Sequence, residues 1–439
     1  MSRTIVIGAG LSGLAHAHKL ARIGRDVLVL EASERPGGVV RTEKRDGYLL
    51  ELGPNTVRPT PDLWKVAGDF DLHGEALLVS SRAPRYVDFG GRLHPLPMSP
   101  AALVRTSLLS PRGKLRLIAE PFIRTPVPGS DTVRSFFARR LGPEVAERMV
   151  EPFVSGIFAG DGTRLSASAC FPRLTRWERE HGSLVSGALA DRFARKRGTK
   201  SPVRGLLSFR EGLETLPRAI ATSLGERLVL NAPVVRVIRF GNAWTVRTMD
   251  EELSASRVVI ATPASEAARL AEAFAPPAAR ALASIPQPPL AVLHLAWPAA
   301  AFARIPEGFG HLVVPQTGRR ILGAVYTSSL FPNRAPEGQV LLTIFLGGAR
   351  DPQVAALSET ELVGHALRDL DAALGIRTEP KVVSLTRYTN ALPQYDLGHE
   401  SRLKILADTE QSWPGLAFIG NYRGGISVGD VVRNALELE

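Results

Sequence analysis

The 439-residue sequence contains a single cysteine, Cys170, so the chain cannot form an internal disulfide bond. A reducing compartment is the natural setting for this composition, and we interpret Cys170 as a small packed apolar residue. No apolar run reaches the roughly 18 residues expected of a membrane span. The N-terminus passes at once into a strand-like run and leaves no room for a signal peptide. These absences predict a cytoplasmic protein that could still lie on a membrane surface.

The sequence also lacks the side-chain arrangements of hydrolases and metalloenzymes. No serine stands in a nucleophile elbow, and no His, Cys or carboxylate cluster has metal-ligand spacing. His16 and His18 are two residues apart on a predicted helix, and we predict that both lie at the surface. The net charge of +11 comes without a zinc-finger spacing, a basic recognition helix or an aromatic RNA-binding motif. An anionic membrane or a carboxylate-bearing substrate is therefore a better partner for this charge than nucleic acid.

The first informative pattern is a glycine turn between a buried strand-like run and a helix-like run. Gly8, Gly10 and Gly13 have the G-x-G-x-x-G spacing. In that pattern the first glycine permits a tight turn, the second lets the backbone approach a pyrophosphate, and the third allows close helix–strand packing. Glu31 ends a second strand at residues 26–30, where an acidic residue can bind ribose hydroxyls. The pattern predicts a dinucleotide site, and the alternative is a purely structural turn.

The next motifs indicate which dinucleotide binds. Gly37 and Gly38 form a second flexible approach, and Arg35 and Arg41 flank it as phosphate or ribose partners. A hairpin with Asp46 and Gly47 in its turn then leads to a second turn, Gly53-Pro54-Asn55-Thr56. This order is similar to FAD-containing oxidases of the amine oxidase and phytoene desaturase superfamily.

Nine motifs, in this order along essentially the whole chain, narrow the resemblance: IVIGAGLSGLA, ERPGGVVRT, ELGPNT, RYVDFGGRLHPLP, VSGIFAGD, GFGHLV, ILGAVYTSSLFP, IFLGG and GNYRGGISVGD. The first three are shared across the superfamily, and the others are more specific. Together they resemble the oxygen-dependent protoporphyrinogen oxidase family.

The resemblance implies an α/β (α+β) fold with three parts. These are a discontinuous Rossmann-like FAD-binding domain, a mixed-sheet substrate domain and a helical membrane-binding domain. The expected boundaries place the FAD-binding domain at residues 1–80, 205–270 and 400–439, the substrate domain at 81–94 and 271–399, and the helical domain at 95–204.

Residue by residue, the resemblance implies non-covalent FAD contacts at Gly8, Ala9, Gly10, Leu11, Ser12, Gly13, Glu31, Ala32, Arg35, Gly38, Val39, Arg41, Gly53, Pro54, Asn55, Thr56, Val234, Ile426, Ser427 and Val428. We expect Val234 to lie on a strand whose backbone faces the adenine edge. Near the C-terminus, residues 418–421 are predicted to form the last strand of the nucleotide domain. The Gly424-Gly425 turn and a helix beginning near Val428 would then face the isoalloxazine.

For the substrate, the resemblance implies that Arg85 pairs with a propionate, which favours the forked guanidinium of arginine over lysine. A solvated strand residue is the alternative. An apolar slot for the macrocycle is implied at positions that could equally be ordinary core: Phe309, Gly310, Leu312, Val325 and Phe345. Gly156 is implied to lie beside this pocket, where a side chain would obstruct the ring.

The implied reaction is the oxidation of protoporphyrinogen IX to protoporphyrin IX by dioxygen. It removes six electrons in three flavin cycles and releases peroxide. We assign no catalytic side chain and no metal, because the flavin carries the redox step. Three alternatives remain: oxidation of coproporphyrinogen III to coproporphyrin III, an amine oxidase or carotenoid desaturase, and a non-redox binding protein similar to GDP-dissociation inhibitors.

Residues 99–125 combine apolar residues with Arg105, Arg112, Lys114, Arg116 and Arg124. Such segments can lie in an anionic membrane interface, and the alternative is a pair of core-facing helices with solvated basic faces. Because the family associates peripherally with membranes, we predict contact with the cytoplasmic face of the membrane. The family also often forms homodimers, although nothing in this sequence marks an interface.

Overall fold

The computed structural model describes residues 3–80, 82–123, 129–194 and 203–439. The strands within them are β1 (Thr4–Ile7), β2 (Val27–Leu30), β3 (Thr42–Arg45), β4 (Tyr48–Glu51), β5 (Ala76–Val79), β6 (Arg85–Phe89), β7 (Arg92–Pro95), β8 (Leu206–Phe209), β9 (Leu228–Val229), β10 (Arg236–Phe240), β11 (Ala243–Arg247), β12 (Glu252–Ala255), β13 (Arg257–Ile260), β14 (Leu290–Pro298), β15 (Gly310–Val313), β16 (Ile321–Val325), β17 (Gln339–Gly347), β18 (Lys381–Tyr388) and β19 (Leu416–Phe418).

The helices are α1 (Leu11–Arg22), α2 (Pro61–Gly68), α3 (Pro100–Arg105), α4 (Pro111–Ile118), α5 (Val133–Leu141), α6 (Pro143–Val145), α7 (Glu151–Phe158), α8 (Ala167–Cys170), α9 (Pro172–His181), α10 (Leu184–Ala194), α11 (Thr215–Leu224), α12 (Ala264–Ala271), α13 (Pro276–Ala283), α14 (Thr327–Leu330), α15 (Glu359–Leu374), α16 (His399–Ser412) and α17 (Val428–Glu437). Among the residues described, no helix combines the length and the hydropathy needed to cross a membrane.

A parallel five-stranded sheet, in the order β19-β13-β1-β2-β9, is assembled from widely separated parts of the chain. Apart from Thr4 and Arg257 at the starts of β1 and β13, its strands are apolar, because both of its faces are covered. Alternate residues of β1 enter different cores: Val6 packs with α1, α11 and α17, whereas Ile5 and Ile7 pack with α12, α13 and α16. The last strand was expected at 418–421, but β19 ends at Phe418 and the following residues already form the turn toward α17.

The prediction that His16 and His18 lie at the surface is wrong. His16 is 0% exposed and His18 is 7% exposed. The reason is that α1 is enclosed by the sheet on one side and by α11 and α17 on others. His16 Nδ1 bonds to Ala435 O at 3.0 Å, and His18 Nε2 bonds to Asp69 Oδ2 at 3.0 Å. Burial lowers the pKa of His16 to about 4, so this ring is neutral.

A second, mixed sheet has seven strands in the order β18-β14-β17-β16-β15-β6-β7. One of its faces packs on α15 through Leu293, Leu295 and Ile344. The hairpin of β3 and β4 packs on the opposite face, where Tyr48 and Leu50 join a separate apolar cluster. Between the hairpin and β15 this opposite face borders the candidate site described below, and α7 packs against it at β15 and β16.

Helices α3 to α10 form a third body in which the described residues contain no strand. With the two sheets, this body confirms the predicted fold class. The domain boundaries remain predictions, and residues 81, 124–128 and 195–202, including Arg124, lie outside the described residues. Helix α13 shares the core of the parallel sheet, so this core extends through Ile285, beyond the predicted limit at 270.

Candidate active site

The turn between β1 and α1 exposes bare backbone at the carboxyl edge of the parallel sheet. Gly8 has a φ of +103°, and a Cβ atom on Gly13 would overlap the Gly8 carbonyl oxygen. A Cβ atom on Gly10, in contrast, would meet no described atom within 4 Å. No side chain caps the first N–H groups of α1. A phosphate can therefore approach both the backbone and the positive helix end at this turn.

Glu31 reaches this turn from the end of β2. Its Oε2 atom accepts a hydrogen bond from Ala9 N at 2.6 Å, and its Oε1 atom accepts one from Ser33 N at 3.0 Å. The carboxylate thus lies beside the glycine turn, where it can also accept hydrogen bonds from ribose hydroxyls. Of the other predicted contacts here, Leu11 and Ser12 are buried in α1 and Ala32 is exposed.

The second glycine pair packs directly over the first turn. Gly37 N donates to Ala9 O at 2.8 Å, and a Cβ atom on Gly38 would lie 3.2 Å from Gly10 Cα. Arg35 Nη2 donates to Gly38 O at 2.8 Å. Arg35 therefore holds the loop itself, a role that the sequence did not indicate.

The turn at residues 53–56 forms the next wall of the same cleft. A Cβ atom on Gly53 would overlap the carbonyl oxygen of Val39, whose side chain is 57% exposed. Asn55 Nδ2 donates to Gly53 O at 3.3 Å, which shapes the turn. The neighbouring predicted contacts are all at least partly exposed: Arg41, Pro54 and Thr56.

Two buried polar atoms in this cleft have no hydrogen-bond partner among the described residues: Asn55 Oδ1 and Thr262 Oγ1. Thr262 follows β13 at the carboxyl edge of the sheet, and its Cγ2 atom lies 3.3 Å from where a Cβ atom of Gly8 would be. Buried polar atoms are normally paired. A dinucleotide with many hydroxyls and carbonyls fits this wall because it can supply the missing partners.

The last glycine turn joins β19 to α17. Gly424 and Gly425 have φ angles of +73° and +123°, which favour glycine. Ser427 caps α17 by accepting a hydrogen bond from Asp430 N at 3.1 Å, so α17 begins at Val428 as predicted. Ile426 packs against the apolar cluster of the helical body. This turn therefore lies where the parallel sheet meets that body.

Both glycine turns follow parallel strands of one sheet, so they lie at the same edge. Helices α1 and α17 pack side by side, and Lys19 Nζ donates to Leu438 O at 2.6 Å. Val234 departs from the expectation, because it precedes β10 instead of lying on it. Its carbonyl oxygen already accepts a hydrogen bond from Arg269 Nη2 at 2.8 Å.

The strand register places the predicted slot residues on one face of the mixed sheet. Gly310 pairs with Val325, and Gly323 pairs with both Leu312 and Phe345. Cross-strand partners and residues two apart point to the same side of a sheet. Leu312, Val325 and Phe345 are each partly exposed although most of their strand neighbours are buried. They form an apolar surface that faces away from α15.

Arg85 lies at the rim of this surface. It pairs with Gly310 across the parallel strands β6 and β15, and its guanidinium carbon lies 5.5 Å from the centre of the Phe309 ring. No carboxylate among the described residues forms an ion pair with Arg85. Burial lowers the pKa of Arg85, yet an arginine remains charged at neutral pH. The side chain is thus a partly desolvated cation that a carboxylate ligand could pair with.

Gly156 approaches the same surface from α7. A Cβ atom on Gly156 would overlap Leu312 Cδ2, the flexible end of a side chain. The structure therefore brings Gly156 together with Leu312, Arg85 and the other slot residues, as a group separate from the glycine turns.

Residues 11–437 match the family described as flavin containing amine oxidoreductase. The chain belongs to this family. It is a flavin-dependent oxidoreductase, and the predictions of the enzyme class and of a flavin cofactor are confirmed. The superfamily resemblance drawn from the glycine motifs is confirmed with them.

Curated relatives of this flavin oxidoreductase carry porphyrinogen oxidase names. The chain is 35% identical to the chloroplastic protoporphyrinogen oxidase of Oryza sativa subsp. japonica over 464 residues, which cover 99% of the chain and 86% of the rice protein. It is 34% identical to the protoporphyrinogen oxidase of Bos taurus, covering 99% and 97%. It is also 30% identical to the coproporphyrinogen III oxidase of Bacillus subtilis (strain 168), covering 98% and 95%. The resemblance to protoporphyrinogen oxidases is thereby confirmed.

Solved structures support the fold of this flavin oxidoreductase. A protein from Exiguobacterium sp. 255-15, provisionally named a protoporphyrinogen oxidase, superposes with a TM-score of 0.82 at 24% identity, covering 99% of this chain and 97% of that one. Reduced UDP-galactopyranose mutase superposes with a TM-score of 0.74 at 17% identity, covering 100% and 94%. At these identities the likeness concerns the fold alone.

Three residues of the flavin oxidoreductase's cleft escaped the sequence analysis. Thr262 follows the β-branched run of β13, and its position at a carboxyl strand end was a usable signal. Tyr388 Oη donates to Leu52 O at 3.0 Å, next to the 53–56 turn. Tyr395 Oη contacts the last glycine turn. Neither tyrosine belongs to a local motif, so only the folded arrangement identifies them.

Proposed function

We propose that the protein oxidises protoporphyrinogen IX to protoporphyrin IX with FAD as its cofactor and dioxygen as the acceptor. The observation that carries the proposal is the apolar face around Leu312, Val325 and Phe345 with the unpaired cation of Arg85 at its rim. A flat apolar macrocycle with acidic side arms is complementary to such a surface. The names of the relatives support the same substrate class.

FAD, when bound non-covalently, would accept two electrons per cycle, so that three cycles consume three dioxygen molecules and yield three of hydrogen peroxide. The glycine turn before α1, Glu31 and Asn55 would hold the diphosphate and ribose, and the last glycine turn would face the isoalloxazine. Arg85 would orient the macrocycle by pairing with a propionate, and the apolar face would exclude water. Covalent attachment through Cys170 is disfavoured, because this residue lies in the helical body and burial raises the pKa of its thiol to about 12.

Coproporphyrinogen III is the second candidate substrate. It carries four propionates where protoporphyrinogen IX carries two. On β14 to β17, the described residues that face the slot include no Lys or Arg, and burial lowers the pKa of His294 to about 4, which keeps it neutral. Burying unpaired carboxylates is costly. We therefore favour the substrate with fewer carboxylates.

The proposal is tested with the purified protein in an aerobic fluorescence assay that compares the two porphyrinogens. We expect flavin absorbance in the purified protein and a higher kcat/KM for protoporphyrinogen IX. A higher kcat/KM for coproporphyrinogen III would reject protoporphyrinogen IX as the preferred substrate, but the protein would still be a porphyrinogen oxidase. A colourless protein that oxidises neither compound would overturn the proposal.

Replacing Arg85 by alanine is expected to raise KM for the porphyrinogen by about tenfold to a hundredfold, since a hydrogen bond to a charged group contributes about 1.5–3 kcal/mol. Flavin content should not change, because Arg85 lies apart from the glycine turns. Arg92→Ala, which removes an exposed arginine on the adjacent strand β7, is the matched control and should leave KM unchanged. Lost flavin or unaltered kinetics in Arg85→Ala would contradict this role.

We further propose that the helical body binds an anionic membrane surface. Large apolar side chains on α4, α10 and the turn after α4 are exposed to solvent, including Leu115 at 68%, Phe122 at 84% and Phe193 at 87%. The turn at Glu120–Phe122 packs against α10. Basic residues accompany them on these helices: Arg112, Lys114 and Arg192. Apolar and basic side chains together are typical of interfacial binding.

The double variant Phe122→Asp/Phe193→Asp is expected to lose at least tenfold in affinity for vesicles that contain phosphatidylglycerol, because each buried Phe contributes about 1.5–3 kcal/mol. Vesicle flotation measures the effect. Phe240→Asp is the matched control, since Phe240 is 86% exposed but lies on β10. Equal flotation of the double variant and the wild type would rule out this surface.

A further inference from the structure

The hydroxyl of Tyr395 bridges the two ends of the last glycine turn. It donates to Asn421 O at 2.6 Å and accepts a hydrogen bond from Gly425 N at 3.2 Å. Asn421 follows β19 closely, and Gly425 precedes the Ser427 cap of α17. The Tyr395 side chain thus links the points where the chain enters and leaves the turn.

Tyr395 is itself held from three directions. Its ring is 3% exposed and stacks on His399, with 4.0 Å between ring centres and 11° between ring planes. Its carbonyl oxygen accepts a hydrogen bond from Ser166 N at 2.7 Å, and Asp396 forms a bridge with Leu165. The tyrosine is therefore anchored to the helical body, and its hydroxyl has little freedom to leave the turn.

The chemistry of this hydroxyl suits a structural clamp. Burial raises the pKa of the Tyr395 phenol, so the group keeps its proton and remains a donor to the Asn421 carbonyl. The turn also packs closely on α17, because a Cβ atom on Gly425 would overlap the side chain of Asp430. Removing the hydroxyl would leave a backbone carbonyl and a backbone N–H without their partner. A turn with such unsatisfied groups reorganises or loses stability.

We propose that Tyr395 is a positioning residue for the flavin ring, which it orients through the Asn421–Gly425 turn and the start of α17. This inference rests on the proposed function, in which the last turn faces the isoalloxazine. Backbone N–H groups and a helix N-terminus stabilise negative charge that develops on a nearby ring when it is reduced. A misaligned turn would stabilise that charge less.

The test compares Tyr395→Phe with the wild-type holoprotein. Tyr395→Phe keeps the stacked ring and removes only the hydroxyl. We expect it to bind flavin but to reduce that flavin with about a tenfold less favourable equilibrium, which corresponds to a midpoint potential about 30 mV more negative for a two-electron couple. The visible absorbance band of the oxidised flavin should also shift. Potentiometric titration of the purified protein measures both effects.

Tyr422→Phe is the matched control. Tyr422 is also buried, its side chain starts from the Asn421–Gly425 turn itself, and its hydroxyl has no partner among the described residues. Its removal should change neither the potential nor the absorbance band. The inference would be overturned if the equilibrium constant for flavin reduction in Tyr395→Phe lay within threefold of the wild-type value.

If Tyr395→Phe does not fold, His399→Leu serves as the second variant, because it retains the hydroxyl and loosens the ring that carries it. It should shift the potential in the same direction by a smaller amount, and a wild-type potential would overturn the inference. A wild-type protein without flavin would instead contradict the proposed function, so the two failures are distinguishable.

Discussion

Replacing Gly13 by alanine is expected to give a protein that no longer retains flavin. The added methyl group would overlap the carbonyl oxygen of Gly8, which is backbone and cannot rotate away. Gly8 has little room to move away, because it packs closely on the residue after β13: a Cβ atom placed on Gly8 would lie 3.1 Å from Ala261 O. Helix α1 would have to move off the sheet, at a cost of about 1–3 kcal/mol or more. The dinucleotide turn would be lost with it.

Flavin absorbance relative to protein absorbance, together with the thermal unfolding temperature, measures this effect. Gly10→Ala provides the informative contrast, because its methyl group would enter open space at a φ of −64°. We expect Gly10→Ala to unfold like the wild-type apoprotein but to bind flavin weakly. Gly74→Ala, at a glycine with open space away from the cleft, should change neither property. A Gly13→Ala protein with full flavin content would refute the close approach between α1 and β1.

The local signals for the nucleotide turns could be read from the sequence. Gly8 and Gly425 need backbone angles that favour glycine, and Ser427 is a standard N-cap, so the start of α17 at Val428 was predictable. The hairpin turn at Asp46 and Gly47 was equally clear, with φ angles of 51° and 80°. Each of these signals depends on interactions between residues close in sequence.

The failures concern contacts between distant parts of the chain. His16 and His18 were placed at the surface because residues two apart face different sides of a helix. That reasoning holds for a helix with one covered side, and α1 is covered on several. Tyr395 and Thr262 have no local signature either. Their roles depend on a turn and a strand brought to them by the fold.

The residues of the substrate slot could be predicted from the sequence only in part. Arg85, Leu312 and Phe345 were named through the family resemblance. Periodicity alone could not have grouped them, because β6 joins β15 by a parallel pairing across a long stretch of intervening chain. Once the register is known, the common face follows from the alternation of side chains along each strand.

Replacing Arg140 by methionine is expected to destabilise the helical body by about 3–5 kcal/mol, the usual cost of leaving a buried charge without its partner. Arg140 is 1% exposed and pairs with Glu120, which is 0% exposed. The arginine also donates to Ile123 O at 3.0 Å and to Gly182 O at 2.9 Å. Glu120 in turn accepts hydrogen bonds from Ser183 Oγ and Leu184 N, both at 2.8 Å, at the start of α10.

Denaturant unfolding of the wild type, Arg140→Met and the double variant Arg140→Met/Glu120→Gln separates pairing from packing. The double variant should recover part of the loss, because its buried carboxylate is gone. Arg304→Ala is the control: Arg304 is 84% exposed, and its contact with Glu307 is at 3.7 Å, so little change is expected. Equal stability of Arg140→Met and the wild type would contradict the role of this pair.

The pH dependence of the free energy of unfolding gives an independent check on the interactions of Arg140 and Glu120. Burial alone would raise the pKa of Glu120, but hydrogen bonds from Leu184, Arg140 and Ser183 outweigh it and lower the pKa. A lowered folded-state pKa contributes stability above the unfolded value of about 4.3, and that stability is lost as the pH falls toward the folded value. Arg140→Met should therefore lose less stability than the wild type on acidification below about pH 5. Because Glu120 belongs to the same turn as the exposed Phe122, this variant should also weaken vesicle binding without altering an apolar side chain.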